Sequence, residues 1–213
     1  MIRRKVLILG AGHFAQEVAD IAEQAGTYEI VAFVESRDPS KVGQKLGNLS
    51  ILWVDDIARH CETHHAIAAI GSTHRDEFIA RVAAFGMPFA TIIHPSAQLS
   101  PTCSIGEGVF VGAGVVIAAH TRIDRHVLIN RGCLIGHHTS IGEYCTLSPG
   151  ANIAGGVTIQ AQAFVGMGAQ VLNNLTVGFQ AIIGAGAVVT RDVPDHVQVM
   201  GVPAKARFGE SGS

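Results

Sequence analysis

IGEGVFVGAGVVI (residues 105–117) places three aliphatic residues, Ile105, Val111 and Ile117, six positions apart, with glycine after the first two. The same spacing extends in both directions. Toward the N-terminus it reaches Leu99 and Ile93. Toward the C-terminus it runs through Ile123, Ile129, Ile135, Ile141, Leu147, Ile153, Ile159, Val165, Val171, Val177, Ile183 and Val189 without a break in register. Four residues after each member comes a second slot, beginning Ala97, Cys103, Val109, Val115, Thr121, Val127, Cys133, Thr139, Cys145 and Ala151, nearly all small or β-branched. A six-residue unit is a short strand plus a turn and cannot bury its apolar face alone. Three units close a triangular coil, and coils stack at ~4.8 Å with an aliphatic ladder inside. A sandwich of short strands would let the turn spacing drift. The register predicts a left-handed parallel β-helix of hexapeptide repeats over residues 93–208.

Residues 1–92 read differently. VLILG (6–10) is an apolar run suited to a buried parallel strand. FAQEVADIAEQAG follows with Phe14, Val18, Ile21, Ala22 and Ala25 at helical spacing, closed by Gly26. EIVAFVE (29–35) and AIAAIG (66–71) are two further strands, and a helix is expected through Phe78, Ile79, Val82 and Phe85. Strand–helix–strand order with short connections predicts a small α/β, Rossmann-like parallel sheet. Its first turn, GAGHFA (10–15), is a GxGxxA variant at a strand-to-helix junction, where glycine lets backbone amides approach a phosphate. Glu35 ends the second strand, about where a ribose-binding acid lies in such folds. The module is only about half of a dinucleotide fold, so the expected ligand is a mononucleotide-type, nucleotide-linked substrate rather than a redox cofactor. A purely structural cap is the other reading.

Composition narrows the function classes. A formal net charge of -2 at pH 7 gives no footprint for nucleic acid. No apolar run approaches the roughly 18 residues of a membrane-crossing helix, and Arg3-Arg4-Lys5 leads into a stretch too short and too glycine-broken for a signal peptide. The expectation is a soluble cytoplasmic protein with no membrane insertion. Cys61, Cys103, Cys133 and Cys145 form no CxxC pair, and the last three fall in the small-residue slot, so they read as reduced core residues.

Residues eighteen apart should lie above one another. HH (137–138), GG (155–156) and NN (173–174) are then successive rungs of one corner, with Ala119 and His120 beneath. Glycines beside an imidazole open an edge cleft with exposed amides. That suits a thin pantetheine arm, a thioester carbonyl and an adjacent general base, which would be His137. The two histidines are expected to point to different sides of the turn. Solvated turn histidines are the plain alternative. A third reading is zinc, because His120 and His138 stack and His126 and His137 sit on neighbouring turns, as in gamma-class carbonic anhydrases. Catalytic zinc takes three converging ligands, and no third histidine stacks with the pair.

GAGHFAQEVAD, AIGSTHRDEF, IIHPSAQLSP, IN followed by IGHHTSIGEY, SPGANIAGGVTI and GVPAK (201–205) occur in that order from Val6 to Lys205. With them the chain resembles bacterial nucleotide-aminosugar N-acetyltransferases of the bacillosamine and perosamine type, and their sialic acid O-acetyltransferase-like relatives. The resemblance implies His137 as the base toward the sugar amine. It implies amides around Gly155, Met167 and Ala185 holding acetyl-CoA; from the histidine spacing above, no metal is expected. Gly12, His13, Glu35 and Gly71 would hold the nucleotide diphosphate, with Asn130 on the substrate. It also implies a homotrimer with sites shared between subunits, to which the apolar AGVVIAA (113–119) would contribute its exposed area. Two departures stand out. The family usually carries an acidic residue directly after the catalytic histidine, where this chain has His138. A histidine that often meets the acetyl group corresponds to Thr146. The expected reaction is direct acetyl transfer to an amino-deoxysugar. The alternatives are O-acetylation of sialic acid or another sugar hydroxyl, a zinc hydratase, and a structural β-helix that only binds nucleotide-sugar.

Overall fold

The computed structural model of the protein describes residues 3–207. Its N-terminal part is a five-stranded sheet made from β1 (Arg4–Leu9), β2 (Tyr28–Glu35), β3 (Lys45–Leu46), β4 (Leu49–Trp53) and β5 (His64–Ala68), in the order β3-β4-β2-β1-β5. Helix α1 (His13–Ala25) joins β1 to β2, and α2 (Asp76–Ala83) follows β5. The β3–β4 hairpin was not expected from the sequence. It lies at the edge, where β4 pairs parallel with β2. The third expected strand begins two residues earlier than AIAAIG and ends at Ala68. The second helix stops before Phe85, which packs beside its core. Gly26 closes α1 in the left-handed conformation, φ 70°, as its position after the helical period requires.

From Ile92 the chain winds into a triangular prism whose three faces are parallel sheets. The first face carries Ile92–Ile93, Phe110–Val111, Leu128–Ile129, Thr146–Leu147, Phe164–Val165 and Ile182–Ile183. The second carries Gln98–Leu99, Val116–Ile117, Leu134–Ile135, Asn152–Ile153, Gln170–Val171 and Val188–Val189. The third carries Ser104–Ile105, Arg122–Ile123, Ser140–Ile141, Thr158–Ile159 and Thr176–Val177. Pairing is eighteen residues apart, as in Val116↔Leu134 and Leu134↔Asn152, so the triangular coil and its register are as expected. The top coil is shorter, because Ile183 pairs with Val199. Inside, the aliphatic ladder and the small slot are both buried, including the thiols of Cys133 and Cys145.

The N-terminal sheet docks on the first face. Phe110 and Leu128 from that face join the core of α1 and the sheet, and Phe14 meets Phe110 edge-on at 5.7 Å. The expected boundary at 92/93 falls within a strand, since Ile92 packs into the N-terminal core while pairing with Phe110 in the prism. The expected outer limits, 1 and 208, lie outside the described residues. Among the described residues no helix is long and apolar enough to cross a membrane.

Candidate active site

The order β2-β1-β5 places a switch point between β1 and β5, and open α/β sheets form crevices outside the strand ends at such points. A cavity of about 360 Å³ lies there, lined by Gly10 and Gly12 after β1, Glu35 at the end of β2 with Ser36, Arg37 and Asp38 after it, and Ala69, Ile70 and Ser72 after β5. Gly10 adopts φ 118°, and a Cβ there would sit 3.0 Å from the Ala69 carbonyl oxygen. Gly12 is different. Its backbone is extended, and a Cβ would meet nothing within 4 Å, so its bareness leaves the way to α1 open. No side chain caps α1 and no acid sits in its first turn, so the amides of His13 and Phe14 are available to an anion, while that of Ala15 donates to Gly12 O at 3.1 Å. Arg37, Lys41, His74 and Arg75 add cationic or proton-bearing groups to the lining.

Glu35 lines this cavity but is not a free carboxylate. Its Oε1 accepts from the amides of Ser36 and Arg37, both at 2.9 Å, and its Oε2 meets Lys41 Nζ at 3.3 Å. Burial raises its pKa, and the amides of Arg37 and Ser36 together with Lys41 outweigh that and hold it below the ordinary value. His13 and Gly71 are exposed at the rim, next to lining residues rather than among them.

The second group of residues lies on the corner between the second and third faces. The stacking is as expected: the amides of His138, Gly156 and Asn174 donate to the carbonyls of Ala119, His137 and Gly155 at 2.9, 2.8 and 3.0 Å. A Cβ on Gly155 would lie 2.7 Å from Cε1 and 2.9 Å from Nε2 of His137, so the imidazole rests over the bare glycine. The two histidines do not point apart. Their Nδ1 atoms are 3.1 Å from each other, and the ring of His138 packs on that of His120 at 4.9 Å. The reason is backbone conformation: His138 is left-handed, φ 57°, which turns its side chain back toward its neighbour. Among the described residues no group of three or more His, Cys, Asp or Glu is placed to hold a metal ion.

Asn130, Met167 and Ala185 occupy a different corner, between the first and second faces. Met167 is 61 % exposed. The amides of Gly155, Met167 and Ala185 donate to no group among the described residues. The Asn130 side-chain amide donates to the Leu147 carbonyl at 2.8 Å. Thr146 lies on neither corner. It is buried on the first face, and its hydroxyl accepts from Arg75 Nη1 at 2.9 Å.

Arg75 was not singled out by the sequence. It is 1 % exposed, precedes α2, lines the cavity, and donates to Ser72 O, Thr146 Oγ1, His126 O and Cys145 O. Burial lowers its pKa to about 10, which leaves it charged at neutral pH. An isolated arginine in a polar loop gives no sequence signal for this, because arginine is ordinarily exposed. A second cavity, of about 400 Å³, shares Ser72 and His74 with the first and continues along Phe164, Gln180 and Ile182.

The family description "PglD N-terminal domain" matches residues 5–81. The chain is similar to a histidine-to-asparagine variant of perosamine N-acetyltransferase from Caulobacter crescentus, solved with CoA and GDP-perosamine. The identity is 34 % over 96 % of this chain and 97 % of that one, with a TM-score of 0.89. It is also similar to the acetyltransferase domain of PglB from Neisseria gonorrhoeae in complex with acetyl coenzyme A, 31 % identical over 96 % of this chain and all of that one, TM-score 0.88. WeeI from Acinetobacter baumannii is 26 % identical over 96 % of this chain, TM-score 0.88. A comparison with curated protein sequences gave no match.

Proposed function

The chain belongs to the hexapeptide-repeat family of sugar N-acetyltransferases, and from that premise we propose that it transfers the acetyl group of acetyl-CoA to the amine of a nucleotide-linked amino-deoxysugar, with His137 as general base. One observation carries the assignment of the base: the His137 imidazole rests over bare Gly155, beside a turn amide with no partner among the described residues. The sugar amine attacks the thioester carbonyl while His137 takes its proton. Turn amides stabilise the oxyanion, and the thiolate of CoA leaves. The nucleotide diphosphate lies in the β1–β5 cavity against Gly12, His13 and the leading amides of α1, with Glu35 and Gly71 at its edge.

In one subunit these parts cannot meet. The cavity sits over the first face, and His137 is on the opposite edge of the prism. A second copy resolves this. The second face exposes Val116 at 37 % and Leu134 at 45 %, an apolar strip suited to contact. If three copies turn that face toward a common axis, the His137 corner of each meets the next copy's Asn130–Met167–Ala185 corner, beside that copy's cavity. Acetyl-CoA then runs between the two corners along the amides of Gly155, Met167 and Ala185. Thr146 contributes by holding Arg75, and through it the loop shared by both cavities.

The test is mass spectrometry of products from a panel of nucleotide-aminosugars incubated with acetyl-CoA. One alkali-stable acetyl group is expected on the sugar amine, and His137→Ala is expected to lose roughly 10²–10⁴-fold in kcat while keeping acetyl-CoA binding. An alkali-labile acetyl group would make the enzyme an O-acetyltransferase, and undiminished turnover by His137→Ala would remove the base.

A further inference from the structure

Two imidazole Nδ1 atoms 3.1 Å apart are an informative contact. Two bare nitrogens at that distance repel, and two N–H groups repel as well, so one hydrogen lies between them. If His137 supplies it, His137 Nε2 is bare and faces the open side above Gly155. If His138 supplies it, a neutral His137 carries its proton on Nε2 and is no base. The placement of His138 is itself fixed. Its amide is bonded to Ala119 O at 2.9 Å, its φ is 57°, and its ring packs on His120 from the coil below.

We propose that His138 is the positioning residue of the reaction, a neutral acceptor whose bare Nδ1 takes the Nδ1–H of His137 and so fixes both the tautomer and the ring plane of the base. The proposal rests on the reading of His137 as general base and adds what holds it. The titratable group facing the pair from the coil below is His120. The coil above contributes Gly155 and Gly156, and the one above that Asn173 and Asn174, none of which titrates. On the adjoining third face Arg122 is paired with Asp124 at 3.2 Å.

Two protons then disable the site in different ways. The first occupies Nε2 of His137 and removes the base, leaving the Nδ1–Nδ1 hydrogen bond intact. The second takes the acceptor lone pair of His138 and breaks that bond. The acid limb of activity should therefore steepen from a slope of about one toward about two once the second proton is taken up.

The experiment is a set of pH profiles of kcat/KM for the wild type and for His138→Ala, His138→Asn and His138→Asp, with melting temperatures to confirm folding. Asn and Asp tolerate the left-handed backbone at this position. His138→Ala should lose about tenfold in kcat with both KM values unchanged, because the base is no longer aimed. His138→Asp should restore the rate and show a slope of about one. Its limb should move to higher pH, because a carboxylate favours the imidazolium. His138→Asn, with its side-chain oxygen as acceptor, should recover rate without that shift. Full kcat in His138→Ala, or a slope of about two persisting in His138→Asp, would overturn the proposal. His137→Ala keeps the two readings apart: full activity there removes the base itself, whereas a dead His137→Ala beside indifferent His138 variants removes only the positioning role.

Discussion

The His137 corner and the Arg75 junction lie in one chain and were built by opposite means. On the corner, place follows from number. Eighteen residues added to 137 give Gly155, and the backbone ladder confirms each rung. At the junction nothing repeats. Arg75 gathers acceptors from residues 72, 126, 145 and 146, three of them far along the chain in the prism. His126 is stacked on Tyr144 at 5.3 Å and meets Phe89 edge-on at 4.6 Å. A repeat fixes chemistry by register. A domain junction fixes it by individual hydrogen bonds, each replaceable only at a cost to several others.

If that contrast is right, the junction is the more fragile region. Arg75→Met leaves the buried His126 carbonyl and Thr146 hydroxyl without their donor, while Cys145 O keeps the Leu128 amide at 3.0 Å, and should destabilise the protein by about 2–3 kcal/mol, at about 1 kcal/mol or more for each acceptor left unmet. Chemical denaturation should show the N-terminal sheet loosening before the prism. A single unshifted transition would mean that apolar docking through Phe110 and Leu128 suffices alone.

Gly155→Ala tests the corner. The added methyl must displace the imidazole, so kcat should fall about a hundredfold with acetyl-CoA affinity retained. Isothermal titration and steady-state kinetics on one preparation would separate the two. A wild-type kcat would show that His137 is not held over this rung.

The smallest effect is in pH. Burial first, then Arg125 and Arg75, push His126 from 6.5 down to about 4. The folded state therefore prefers the neutral ring. The stability this confers is present above about 6.5 and is lost as pH falls toward 4. His126→Asn, suited to the φ of 58° there, should flatten the dependence of denaturation midpoint on pH across that window. An unchanged slope would assign acid lability to other groups.

What could be read in advance divides along the same line. The prism, its three faces and the stacking of His120, His138, Gly156 and Asn174 follow from a six-residue period, because each coil repeats the one below. The β3–β4 hairpin was missed, since LSILW is short and edge-placed and only its pairing with β2 makes it a strand. The mutual approach of His137 and His138 depends on a left-handed turn residue, which alternation rules do not anticipate. The burial of Arg75 depends on tertiary contacts with residues 126, 145 and 146, and the Glu35 loop on local bonds to Ser36, Arg37 and Lys41; neither residue type announces them.

The central claim is that one copy's nucleotide cavity works with the next copy's His137, and subunit mixing tests it directly. Gly12→Val blocks the cavity at a position where a Cβ meets nothing of the protein. His137→Ala removes the base. Each variant alone should be nearly inactive. Co-expressed at equal levels in a threefold ring, a quarter of the sites pair an open cavity with an intact base, so about 25 % of wild-type activity should return. Activity no higher than that of either variant alone would mean that cavity and base serve the same copy, and would contradict the shared site.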